Sequence, residues 1–159
     1  MSGMRVVSYE LVIHAAAETV YHHLTDPAAL LTWMADSAES EPVANGRIRW
    51  TLPNNATMLG RYLELQPPHR LVFSYGWEHD LMGVPPESTV VEIELRAHPE
   101  GTLLTLTHRL LPDMAAEQHR HGWDYFLQRL ATELEQDTSR RDHSQRLRDG
   151  RGRRQRRHG

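Results

Sequence analysis

From Ser37 to Arg109 the chain is punctuated as one β-strand after another, and a single long apolar stripe at helical spacing follows; few folds accommodate that pairing. The candidate strands are Ser37 to Pro42, Arg47 to Leu52, Thr57 to Gln66, Arg70 to Glu78, Ser88 to Ala97 and Thr102 to Arg109. Asn45-Gly46 and Pro99-Glu100-Gly101 are tight-turn signals that suit antiparallel hairpins. Val91, Ile93 and Leu95 alternate with Glu92 and Glu94, as in a sheet with one wet face. The stripe of Trp123, Phe126, Leu127, Leu130 and Leu134 belongs to a helix over Met114 to Glu135, and such a stripe needs a surface to cover. The expected fold class is α+β, a curved antiparallel sheet gripping one long C-terminal helix.

The front of the chain adds the remaining elements. Val6 to Ile13 reads as a strand with Val7, Tyr9, Leu11 and Ile13 on one face. Near Ala15 the period changes to that of a helix, with Val20, Tyr21 and Leu24 as its stripe. Thr25-Asp26-Pro27 stops that helix and starts another, Asp26 serving as N-cap and Pro27 taking the first helical position. The second short helix brings Leu30, Leu31, Trp33 and Met34 to a buried side. His79 to Pro86 is the longest irregular loop.

Charge divides the chain into a domain over residues 1–136 and an Arg-rich tail over 137–159. The first holds 18 acidic residues against 9 arginines, and the second holds 3 against 9. The tail's only large apolar residue is Leu147, too little to order it, so disorder is expected there. It carries charge that could attract nucleic acid, but no aromatics are interleaved for base stacking, and solvation is the preferred reading. With no cysteine, thiolate catalysis, disulfides and cysteine zinc sites are excluded. No signal-peptide pattern or membrane span is visible, and a cytoplasmic location is expected.

Several local motifs resemble the SRPBCC superfamily, the helix-grip domains like START and the birch-pollen allergen. They resemble most its branch named after the C-terminal domain of the activator of the heat-shock protein 90 ATPase. The matching residues are Ile13 to Ala15, Val20-Tyr21, Leu24 to Pro27, Trp33, Gly46, Gly60 to Tyr75 with its Pro67-Pro68 turn, Thr102 to His108, and Gly122-Trp123. The resemblance covers roughly residues 5–136. It implies a cavity between sheet and long helix that holds a small apolar or amphipathic molecule, lipid- or polyketide-like, without a cofactor. It also implies two alternatives, a module that interacts with a chaperone and a polyketide cyclase- or hydrolase-like enzyme.

Residues two apart on a strand share a face, so Leu71, Phe73, Tyr75 and Trp77 form a ladder of large side chains. With Trp33, Trp50, Trp123, Phe126 and Leu127 the aromatic members form the expected lining of a cavity of about 300 Å³ or more. His108 joins them because alternation places it with Leu104 and Leu106, where an imidazole could hydrogen-bond a ligand or act as a base. Enzyme activity would need His108, Tyr75 and Glu64 or Glu78 to converge, and no residue is assigned as catalytic. Of the eleven histidines, His119 and His121 with Glu117 invite a metal. An i, i+2 spacing splits the two between helix faces, so structural or solvated histidine is preferred and no metal site is assigned.

Overall fold

The computed structural model describes the backbone of residues 4–79 and 81–156, with side chains described for residues 4–79 and 82–136. Seven strands form one antiparallel sheet in the order β1-β7-β6-β5-β4-β3-β2. These are β1 (Met4–Ile13), β2 (Ser37–Ser40), β3 (Arg47–Thr51), β4 (Thr57–Gln66), β5 (Arg70–Tyr75), β6 (Thr89–His98) and β7 (Gly101–Pro112). Short helices α1 (Ala17–Thr25) and α2 (Pro27–Leu30) follow β1, and the long helix α3 (Asp113–Arg156) follows β7. This is the helix-grip α+β fold expected from the strand punctuation.

Local chemistry sets the junctions. The Asp26 carboxylate accepts a hydrogen bond from the Ala29 backbone N–H at 3.0 Å, so one aspartate ends α1 and caps α2, with Pro27 behind it. The β6–β7 hairpin closes with His98 paired to Gly101, and Gly101 takes φ 141°, a conformation that side chains avoid. Thr102 Oγ1 donates to the Ala15 carbonyl at 2.7 Å and ties that hairpin to the start of α1.

Alternation carries through the centre of the sheet. Val91, Ile93, Leu95, Leu104, Leu106 and His108 are all buried on the concave face. The stripe of α3 covers them through Ala115, Trp123, Leu127, Leu130 and Leu134. The opposite face carries charge: Arg70 pairs with Glu64, Glu92 and Glu94, and Arg109 with Glu92 at 2.8 Å.

Among the differences from expectation, three stand out. Leu31 is 49% exposed rather than buried, because α2 ends at Leu30 and the chain turns before Trp33 and Met34 re-enter the core. β5 ends at Tyr75, yet Trp77 keeps the inward direction of the ladder through an isolated bridge to Met58. The backbone of α3 is helical through Arg156, past the expected end near Glu135. The expectation of a disordered tail over 137–159 falls outside the residues whose side chains are described.

Candidate functional site

A cavity of about 160 Å³ opens where α3 crosses β3, β4 and the end of β5. Trp50 and Leu52 reach it from β3 and its end, Met58 from β4, and Tyr75 and Trp77 from the β5 ladder. Helix α3 contributes Gln118, His119, Gly122, Trp123 and Phe126; Met34 and Asn54 come from loops and Met82 from a single 3-10 turn, Leu81–Gly83. Its volume is about half of the 300 Å³ anticipated from sequence. Cavities of roughly 150 Å³ hold a single benzene-sized ring. No charged side chain lines it among the described residues.

Of the residues expected to line a site, Trp50, Tyr75, Trp77, Trp123 and Phe126 do so. Trp33, Phe73, His108 and Leu127 are buried in the core outside the lining. Trp33 donates its indole N–H to the His23 carbonyl at 2.9 Å, and Phe73 packs edge-on between Trp50 and Tyr62.

In the cavity wall and directly behind it, two tryptophans are locked to two histidines. Trp123 Nε1 donates to His108 Nδ1 at 3.0 Å. An indole nitrogen can only donate, so Nδ1 must be the bare nitrogen and the proton sits on Nε2. That Nε2–H meets Thr89 Oγ1 at 2.8 Å, and the Thr89 hydroxyl in turn donates to the Tyr75 carbonyl at 2.8 Å. Trp77 Nε1 donates to His119 Nε2 at 3.1 Å, so His119 carries its proton on Nδ1 and gives it to the Ala115 carbonyl at 2.8 Å.

The two histidines are therefore opposite tautomers, both neutral and both fully engaged. Their rings meet edge to face at 5.4 Å, and Tyr75 packs on each. Burial lowers the pKa of His108 to about 3, assisted by neighbouring His119, and burial also lowers that of His119. Burial raises the Tyr75 phenol well above its ordinary value.

This geometry bears on the chemistry imagined from sequence. His108 has no free lone pair to serve as a base or to greet a ligand. Glu64 is held by Arg70 at 3.3 Å and Glu78 by Arg49 at 3.2 Å, both away from the lining. Among the described residues no group of three metal-binding side chains comes together, and His121 pairs with Glu117 on the outer face of α3. No described helix is long and apolar enough to cross a membrane.

The inward place of His119 on α3 was legible in the sequence despite its exposed neighbour His121. The signal was present: 115, 119, 123, 127 and 130 continue the apolar stripe of α3 by steps of four and three. Met34, Met58, Met82 and Gly122 carried no comparable mark, since methionine and glycine positions follow from packing rather than pattern.

A helix laid across a seven-stranded antiparallel sheet, with a small cavity between them, defines the helix-grip class of the SRPBCC superfamily. Within it, the family described as Activator of Hsp90 ATPase homolog 1-like protein matches residues 14–135, and the chain belongs to that family. Among solved structures, a Mesorhizobium loti protein is 21% identical with a TM-score of 0.74, covering 83% of this chain and 98% of that one. The Aha1 dimer from Colwellia psychrerythraea is 20% identical with a TM-score of 0.72, covering 82% and 96%. A protein of the dynemicin biosynthetic locus, DynU16, is 23% identical with a TM-score of 0.71, covering 82% of this chain and 47% of that one. At these identities the likeness is one of fold. No curated protein matches the chain in sequence.

Proposed function

We propose that this protein binds a small, uncharged, apolar molecule in the cavity between sheet and α3. The observation that carries this reading is the lining itself: five aromatic side chains and three methionines around about 160 Å³ with no charge among them. The neighbouring histidines support it, because both are neutral and have both nitrogens committed to the fold. A binder, carrier or sensor needs no more than this. A cyclase- or hydrolase-like reaction would need a proton-transfer group in the cavity, and the lining offers only Tyr75, with its pKa raised, and neutral His119. A cytoplasmic setting fits a chain without cysteine. A chaperone partner is suggested by the family's description and would show as co-purification and ATPase stimulation.

Gly122 supplies the test. It lines the cavity from within α3, and a Cβ built there meets nothing within 4 Å. The side chain of Gly122→Leu therefore starts in open space and should occupy the cavity, and the change removes a glycine that weakens a helix by about 1 kcal/mol. Saturation-transfer NMR with toluene and naphthalene as probes should show binding to the wild type, stronger for the single ring. Binding should vanish in Gly122→Leu, with the melting temperature equal or higher. Binding that survives the plug, or a wild type that holds neither probe, would sink the reading.

A further inference from the structure

Three of the four tryptophan N–H groups have identified acceptors: Trp33 on the His23 carbonyl, Trp77 on His119 and Trp123 on His108. The fourth does not. Trp50 is 3% exposed, its Nε1 is buried, and it has no hydrogen-bond partner. A buried donor left without an acceptor is destabilising, and native structures seldom tolerate one without a reason. Trp50 is also a wall of the cavity, edge-on to Phe73 at a ring separation of 5.5 Å.

We propose that the ligand of this cavity is a neutral, single-ring molecule bearing a hydrogen-bond acceptor such as a carbonyl or ether oxygen, which takes the Trp50 indole N–H. This rests on the cavity being a ligand site. Size sets the single ring, since about 160 Å³ suits one ring rather than two. Neutrality follows from the lining, which among the described residues contains no cation to balance a carboxylate or phosphate and no anion to balance an amine. The acceptor follows from Trp50, because the indoles of Trp77 and Trp123 are already used. Nε1 is closed to water, so an incoming oxygen reaches it by displacing a neighbour. Met58, the cross-strand partner of Trp50, also lines the cavity and is a flexible thioether suited to that movement.

Acetophenone and α-methylstyrene have nearly the same shape and differ by a carbonyl oxygen in place of a methylene. Titrated by NMR into the full ¹⁵N-labelled chain, acetophenone should bind about tenfold tighter. It should also move the indole N–H resonance that is missing in Trp50→Phe downfield, a readout taken on the wild type. In Trp50→Phe the tenfold preference should disappear while α-methylstyrene still binds, and benzoate should bind neither form. Equal affinities in the wild type, a Trp50 resonance that acetophenone leaves in place, or tight benzoate binding would each overturn the inference while leaving the cavity a ligand site. Failure of both neutral probes to bind the wild type, or binding that survives Gly122→Leu, would instead remove the underlying reading and the inference with it.

Discussion

His108 shows how a residue suited to catalysis can be absorbed by structure. Its two nitrogens join Trp123 on α3 to Thr89 on β6, and through Thr89 to the backbone of β5. Its folded pKa of about 3 lies below the ordinary 6.5, so between those values the unfolded chain binds the extra proton. Stability therefore rises with pH across that window and falls as the solution is acidified from 6.5 toward 3, by up to about 1.4 kcal/mol per pH unit for this group. His119 acts in the same direction. His108→Leu should lose about 2 kcal/mol at pH 7, because the Trp123 N–H is left without an acceptor. Its stability should also depend less on pH between 6.5 and 4.5. Urea unfolding of both proteins at pH 7 and pH 5 checks both; an unchanged pH slope would contradict the assignment of the proton uptake to His108.

At the scale of elements, the strands and their hairpins were legible because each signal is local. Alternation marks the strands, Asn45-Gly46 and Gly101 mark turns, and Asp26-Pro27 marks a cap. The inward direction of Trp77 was legible as well, although the strand stops two residues earlier, since the bridge to Met58 preserves the parity. What local pattern did not reveal is where the cavity would stop. Phe73 and Leu127 carry the same apolar signature as Tyr75 and Trp123, and only the crossing of α3 over β3 to β5 decides which of them face space. Close backbone approach was equally hidden. A Cβ on Gly60 of β4 would stand 1.9 Å from the Ser74 carbonyl of β5. Gly60→Ala should therefore force those strands apart at a cost of about 3 kcal/mol, measured as a fall in the thermal midpoint. A melting temperature within a degree of wild type would show that the contact is not obligatory.

For the whole molecule, the charge asymmetry read from the sequence divides a body of net charge about −9 from a tail of about +6. Among the described residues the last member of the apolar stripe of α3 that meets the core is Leu134, which is 1% exposed, and Glu135 and Gln136 after it are exposed. A chain ending at Gln136 should accordingly keep its unfolding free energy within about 0.5 kcal/mol and keep its acetophenone affinity. A loss of more than about 1 kcal/mol would place residues 137–159 within the folding unit.

The unmet indole of Trp50 also describes how selection has weighed this fold. Every other tryptophan is secured, and replacing it would break a bond; at Trp50 a phenylalanine would relieve the fold of an isolated donor. A buried donor kept without an acceptor is a local cost in stability, and such costs gather where stability is traded against function. Here the unmet donor sits in the cavity wall, so an acceptor brought there by a ligand would complete what folding leaves undone.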